Sequence, residues 1–458
     1  MPAINSTTTS TSSYSPVNGA TGSTNGASTS ATGGASTDRY DGSVTAGHSV
    51  SNPTDPRSSL APSNVRRAPD MGSIDGVNTT EFLFEGFEKR FDALPTEGRT
   101  EKTPWSGYYW AKNKGGISYR WQTNESHTYA SPTREMVASM SRDDIAKLSP
   151  SEKYDLLVGD YQYPLTFGTK SRNSANEAGW TGYCHGWAQA AIHFDEPEPV
   201  SMVNPDGIEI PFSSADIKAL LTFYQGEVIR APSNLSFSRP MNSIGINSPG
   251  VNARDSRSYD LNPGSFHMLL GNLLGKGTAF GIDCDNGAQK WNQPVHAFTS
   301  EVVERRSPDK RAGSEAVTEL VIRSNVTYTM EIDPQHESAA ERGNQYNKTE
   351  TYAYTVELDA NGEIVGGQWL LEVENGFFTY HDVVEYFENE GMSKAEIAST
   401  MPQIMRFPDY AYFQDTADFA ETFRPATMKY EFIANKREPL YGYLSVLGDL
   451  YKKSTAQA

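Results

Sequence analysis

Residues 1–37 (MPAINSTTTSTSSYSPVNGATGSTNGASTSATGGAST) hold no charged side chain and almost no large apolar one, which limits where this chain can fold. A run of Ser, Thr, Gly and Asn has too little apolar surface to offset the entropy of ordering its backbone. The Ser-, Pro-, Gly- and Arg-rich stretch that follows continues the pattern. Residues 1–78 therefore read as a disordered leader. Folded composition begins at TTEFLFEGFEKRF, so residues 79–452 read as the folded region, long enough to bury a large core.

The charge balance narrows the function classes. Asp and Glu number 57 against 39 Lys and Arg, a net charge of −18. Phosphate recognition needs clustered cations, and no such run occurs, so nucleic acid is excluded as a partner. No apolar stretch approaches the ~18–20 residues of a membrane-spanning helix. The N-terminus lacks the basic and apolar regions of a secretory signal peptide, leaving two expected locations: secretion or translocation by another route, or the cytoplasm. The two cysteines, Cys184 and Cys284, cannot build a disulfide framework and show no metal-site spacing.

Periodicity predicts helices at residues 80–94, within 135–158, and at 184–194, 213–226 and 265–275, with another beginning at His381. Ser149 or Ser151 is a candidate cap for the second of these regions. Strands are expected at 279–285, 295–304 and 317–332, and a hairpin over Tyr352–Glu374 turning at DANG. Residues 105–121 read as aromatic strand or loop, 168–182 as a polar loop and 232–262 as a long surface loop. A cysteine-bearing helix followed by several strands indicates an α+β fold.

Cys184 is the candidate nucleophile. In GWTGYCHGWAQAAIHF, Cys184, Trp187, Ala188, Ala191 and Ile192 share one helical face, with the cysteine at its start. A thiol at a helix N-terminus faces the positive end of the dipole, which favours the thiolate. The glycine-flanked approach lets backbone N–H groups near Tyr183 and Cys184, together with Trp180, reach an oxyanion. The bland reading is a small buried hydrophobe, and residues alone leave the two about even. Cys284 differs: alternation in AFGIDCD puts Phe280, Ile282 and Cys284 on a core face and Asp283 and Asp285 on the other.

A thiol nucleophile needs a base and a group that orients it. His267 borders the apolar face of LNPGSFHMLLGNLLG, and His296 opens the strand after Pro294. Each is a candidate, with Asp283 as the orienting carboxylate for either. His296 followed by Asn325 would suit a papain-like arrangement. His48, His127, His336 and His381 sit in polar stretches and read as solvated, while His185 and His193 belong to the nucleophile's own helix.

At Trp291–Val295 (WNQPV) the sequence resembles the surface peptide by which plants recognise oomycete transglutaminases. Residues 105–121, 149–160, 179–192 and 364–369 resemble the same family in the same order, and FHMLLGN at 266–272 also looks like it. The resemblance spans about residues 80–435. It implies a transglutaminase-like catalytic region over 79–452 with a cysteine-protease-like core and an antiparallel sheet. It further implies a protein-glutamine γ-glutamyltransferase whose nucleophile is Cys184. The peptide residue matching His296 is an arginine, which favours His267 with Asp283. The implied substrates are proteins bearing glutamine and lysine side chains. No cofactor is required, although the resemblance implies an influence of calcium, for which Asp283–Asp285 and Asp359–Asn361 offer oxygens without an EF-hand pattern. Two other readings are a papain-like cysteine protease and a catalytically inert, elicitor-type recognition protein displaying WNQPV.

Overall fold

The computed structural model describes residues 87–456 apart from 229–234, 237–260, 285–288, 310–314, 335–345, 375, 406, 409 and 414–442. The expected leader, residues 79–86 and almost all of the expected loop at 232–262 lie outside the described residues.

Side-chain caps begin most of the helices. These are α1 (Arg134–Ser139), α2 (Arg142–Ala146), α3 (Pro150–Leu157), α4 (Pro164–Arg172), α5 (Cys184–His193), α6 (Ser214–Phe223), α7 (Pro263–Asn272), α8 (Tyr380–Asn389), α9 (Lys394–Ile404) and α10 (Leu447–Thr455). Ser149, Ser213, Thr379 and Ser393 form reciprocal capping boxes with Glu152, Asp216, Asp382 and Glu396. Each box satisfies donors that the first helical turn leaves open. At α5 the N-cap residue Tyr183 makes no side-chain cap hydrogen bond.

Two helical expectations change. The described part of 80–94 holds a single 3-10 turn at Phe91–Ala93, and Leu94 is extended. Pro95 follows it, and proline disfavours helix in the residue before it. The polar loop expected at 168–182 is helical as far as Arg172. That helix starts where the buried Asp155 carboxylate accepts the N–H groups of Leu165 and Thr166 at 3.0 and 2.9 Å. The cap comes from α3, so a local pattern could not reveal it.

The strands are β1 (Glu97–Arg99), β2 (Val200–Val203), β3 (Glu209–Phe212), β4 (Leu235–Ser236), β5 (Phe280–Asp283), β6 (Asn292–Arg306), β7 (Thr318–Thr329), β8 (Asn347–Leu358), β9 (Ile364–Gly366), β10 (Trp369–Val373), β11 (Gly376–Thr379) and β12 (Tyr410–Phe413). Among the described residues β2 and β3 pair alone, and the rest form one ten-stranded sheet ordered β11-β10-β8-β7-β6-β5-β12-β4. In that sheet β1 also pairs β6 and β9 pairs β8, and every pairing is antiparallel. The long β6 makes this possible by holding β5 at its start and β1 further along. The α+β class with a large antiparallel sheet is therefore as expected.

Both faces of the sheet are covered near β5. Phe280 and Ile282 join a core with Phe266, Leu269 and Leu270 of α7. Gly281 points the other way, where a Cβ would come within 2.7 Å of Gln189 on α5. Strand alternation therefore places α7 on one face and α5 on the opposite one. Trp187, Ala188, Ala190 and Ala191 of α5 pack instead with α3, α6 and the aromatic segment around Trp105–Trp110. A buried ion pair, Lys153 Nζ to Asp216 at 2.7 Å, ties α3 to α6 within that core.

Two buried histidines make the fold sensitive to acid. Burial pulls His267 down to about 4, and it pulls His296 to about 4 against a hydrogen bond with Asn347. An unfolded histidine titrates near 6.5. Between those values the unfolded chain binds more protons than the folded one, so stability falls as pH drops through the window. Urea unfolding midpoints measured from pH 7 to pH 4 should decline, and His267→Gln should remove part of that decline.

Candidate active site

The start of α5 is fixed from two sides. Tyr183 N–H donates to the Tyr109 carbonyl at 2.6 Å, joining the helix to the aromatic segment. Gly182 permits that approach, because any Cβ there would collide with the Tyr109 ring and carbonyl. Cys184 itself is buried at the first helical position.

The other wall is the stretch that leads into β6 and the first residue of that strand. Asn292 Nδ2 donates to Cys184 Sγ at 3.2 Å, and the thiol donates to the Lys290 carbonyl at 3.6 Å. Asp283 is fully buried, and its Oδ1 accepts the Trp291 N–H at 2.9 Å. The carboxylate thus holds the chain that presents Asn292. Cys284 is half-buried against the α7 side, with its thiol 3.5 Å from the Trp291 carbonyl. Trp291 meets Tyr109 edge to face with ring centroids 5.8 Å apart.

The electrostatics differ from a simple helix-dipole expectation. Burial is the largest influence and raises the Cys184 pKa; the charges of Glu331 and Asp283 raise it further. Hydrogen bonds from the Asn292 side chain and backbone oppose them. In this arrangement the resting thiol is protonated at neutral pH, because desolvation disfavours the anion more than the dipole and Asn292 stabilise it. The same burial raises the Glu331 carboxyl.

The expected site residues separate into two groups. Cys184 and Asp283 come together, on the α5 side of the sheet. His267 lies on α7, where Nδ1 pairs with the Tyr354 hydroxyl at 2.9 Å and the ring stacks on Phe91 at 5.1 Å. That is the opposite face of the sheet from Cys184. His296 sits at the irregularity of β6 between Val295 and Ala297, facing Asn347 and Arg99. Neither imidazole is brought to the thiol. Asn325 is exposed on β7 and accepts from Thr351 at 2.7 Å, so the papain-like set is not assembled either. The Tyr183 N–H expected to bind an oxyanion is already engaged by Tyr109.

Asn292 and Glu331 were not among the residues singled out by sequence. Asn292 lay within WNQPV, so the motif marked its place without marking its role. That motif is no displayed patch: Asn292, Gln293, Pro294 and Val295 are buried and Trp291 is half-buried. Glu331, just past β7, carried no local signal.

Among the described residues no group of three or more His, Cys, Asp or Glu is placed to hold a metal, and Asp285 lies outside them. Asp359 accepts the N–H groups of Asn361 and Glu363 at 2.8 and 2.9 Å, which makes it part of a turn. No helix among the described residues is long and apolar enough to cross a membrane.

The sequence model of the family described as Transglutaminase elicitor matches residues 168–380, a span containing Cys184, Asp283, Asn292 and Glu331. No curated protein sequence matches the chain. The fold matches the crystal structure of the GP42 transglutaminase from Phytophthora sojae with a TM-score of 0.52 at 19% identity. That match covers 81% of this chain and 95% of the other.

Proposed function

Because residues 168–380 match the transglutaminase elicitor family and the chain shares the fold of GP42, we propose that Cys184 carries out acyl transfer from protein glutamine. Its sulfur attacks the γ-carboxamide carbon, a C–S bond forms, and the C–N bond breaks to release ammonia. A lysine ε-amine then attacks the thioester to give an isopeptide bond, or water attacks to give glutamate. The observation that carries this reading is the Asn292 amide 3.2 Å from a thiol at the start of α5. A donor aimed at sulfur stabilises the thiolate, and the same amide is placed to meet an oxyanion formed beside it. Asp283 acts as a positioning residue by holding Trp291.

The test is incorporation of a fluorescent primary amine into a glutamine-bearing protein, with ammonia measured in parallel. Amine incorporation and ammonia release are expected. Peptide-bond cleavage without incorporation would favour a protease. A second reading, recognition without catalysis, rests on the burial of the thiol. It would prevail if Cys184 resists iodoacetamide at pH 7 and no amine is incorporated while partner binding persists.

Asn292→Ala should slow incorporation by ~10²-fold, the usual effect of removing one donor from a developing anion. It should also raise the thiol pKa, since the lost amide favoured the thiolate. The pH profile of alkylation reads this second effect directly. An unchanged rate and an unchanged profile would remove Asn292 from the site.

A further inference from the structure

The stretch that walls the thiol carries a glutamine of its own. Lys290 and Asn292 both touch the Cys184 sulfur, the first through its carbonyl at 3.6 Å and the second through Nδ2 at 3.2 Å. Gln289 precedes them and is exposed. The path from the sulfur through the Lys290 carbonyl, with ordinary bond lengths and Cα spacing, holds the Gln289 Cα no more than about 10 Å away.

The carboxamide of Gln289 is held at this rim. Trp291 Nε1 donates to Gln289 Oε1 at 3.1 Å, and Trp291 is fixed in turn by Asp283 and by the Tyr109 ring. One bond to an exposed side chain is weak, so releasing it frees the carboxamide to turn towards the thiol. The other exposed glutamines among the described residues are Gln122, Gln162 and Gln403. Gln122 is bonded to Ala146 and Gln403 to Ser399, and none of the three adjoins Lys290 or Asn292. Gln293 adjoins Asn292 but is buried.

We propose that Gln289 is an automodification site, an acyl donor that Cys184 uses on its own chain. The sulfur attacks Gln289 Cδ, a C–S bond forms and the C–N bond breaks. The thiol proton leaves on the nitrogen, which departs as ammonia. The thioester then joins residues 184 and 289 of one chain. A primary amine opens it, returns a proton to the sulfur and stays on residue 289 as a substituted amide. Without an amine, water opens it and leaves glutamate. Reaction within one chain is favoured because the donor is held beside the thiol at high effective concentration. Transfer between two copies would need their two walled rims to meet face to face.

This site rests on the acyl-transfer reading and adds a substrate to it. In the test, the full chain is incubated with methylamine and a second, glutamine-bearing protein, then digested and mapped by mass spectrometry. Gln289 should gain the amine at least ~10-fold faster than Gln122, Gln162 and Gln403, because only its carboxamide starts beside the thiol. The half-time of that gain should stay constant as protein concentration is raised. Cys184→Ala should gain no amine at Gln289.

Amine on the second protein with Gln289 unmodified, or modified no faster than the other three, overturns the automodification and leaves acyl transfer standing. Amine on neither protein overturns both. A half-time that shortens with protein concentration overturns transfer within one chain, and labelling of Gln289 in Cys184→Ala overturns the role of the thiol. The wild-type map decides the site by itself, whether or not the variant folds.

Discussion

Cys184→Ala should reduce amine incorporation by at least ~10⁴-fold, the scale of loss when a covalent nucleophile is removed. The small, buried site should tolerate alanine, so the folded state should survive. His267→Gln should behave differently. Its ring lies across the sheet from Cys184 and is bonded to Tyr354, a bond that a glutamine amide can replace. Incorporation should stay within ~10-fold of the wild type, the residual change reflecting packing rather than proton transfer. His296→Gln should act likewise. Rates are compared at equal folded fraction, read from thermal unfolding. A large loss in either histidine variant at an unchanged unfolding midpoint would restore that histidine to the mechanism.

The largest effect on stability is expected at Asp216. Its carboxylate pairs with Lys153 in a setting where both side chains are essentially inaccessible. It also accepts the Ser213 N–H at 2.8 Å in the capping box of α6, and the Trp121 indole N–H at 3.2 Å. Asp216→Ala leaves the Lys153 ammonium buried without its carboxylate. Breaking one side of a buried pair costs about 3–5 kcal/mol, and a lost cap costs about 1 kcal/mol more. Lys153→Met combined with Asp216→Ala should recover a substantial part, because no uncompensated charge remains. Urea unfolding of the two single variants and the double variant measures the coupling. Equal stability of Asp216→Ala and the double variant would show that the ion pair contributes little.

The capping boxes at Ser149 and Ser393 follow from short patterns of serine and glutamate, because the donors of a first helical turn are satisfied by residues three positions apart. Strand alternation likewise separates Phe280 and Ile282 from Asp283 by residue spacing alone. The start of α5 at Cys184 is legible in the same way, from a glycine-flanked approach and an apolar stripe. The family resemblance added what pattern alone left even, namely whether Cys184 reads as a nucleophile or as a small buried hydrophobe.

Tertiary structure decided the rest. The cap of α4 comes from Asp155, outside that helix, so the helix read as loop. Periodicity tells which face of α7 is apolar, but a sheet buried on both sides offers that face two places to pack. The side taken by α7 removes His267 from Cys184, and the site of His296 on β6 removes the second imidazole. Asn292 reaches the thiol across 108 residues because the first residue of β6 packs against the start of α5. The sequence by itself determined which thiol opens α5 and where the elements around it begin. Only the packing of those elements determined its neighbours, because burial, charge and hydrogen-bond reach depend on distances in space that spacing along the chain does not set.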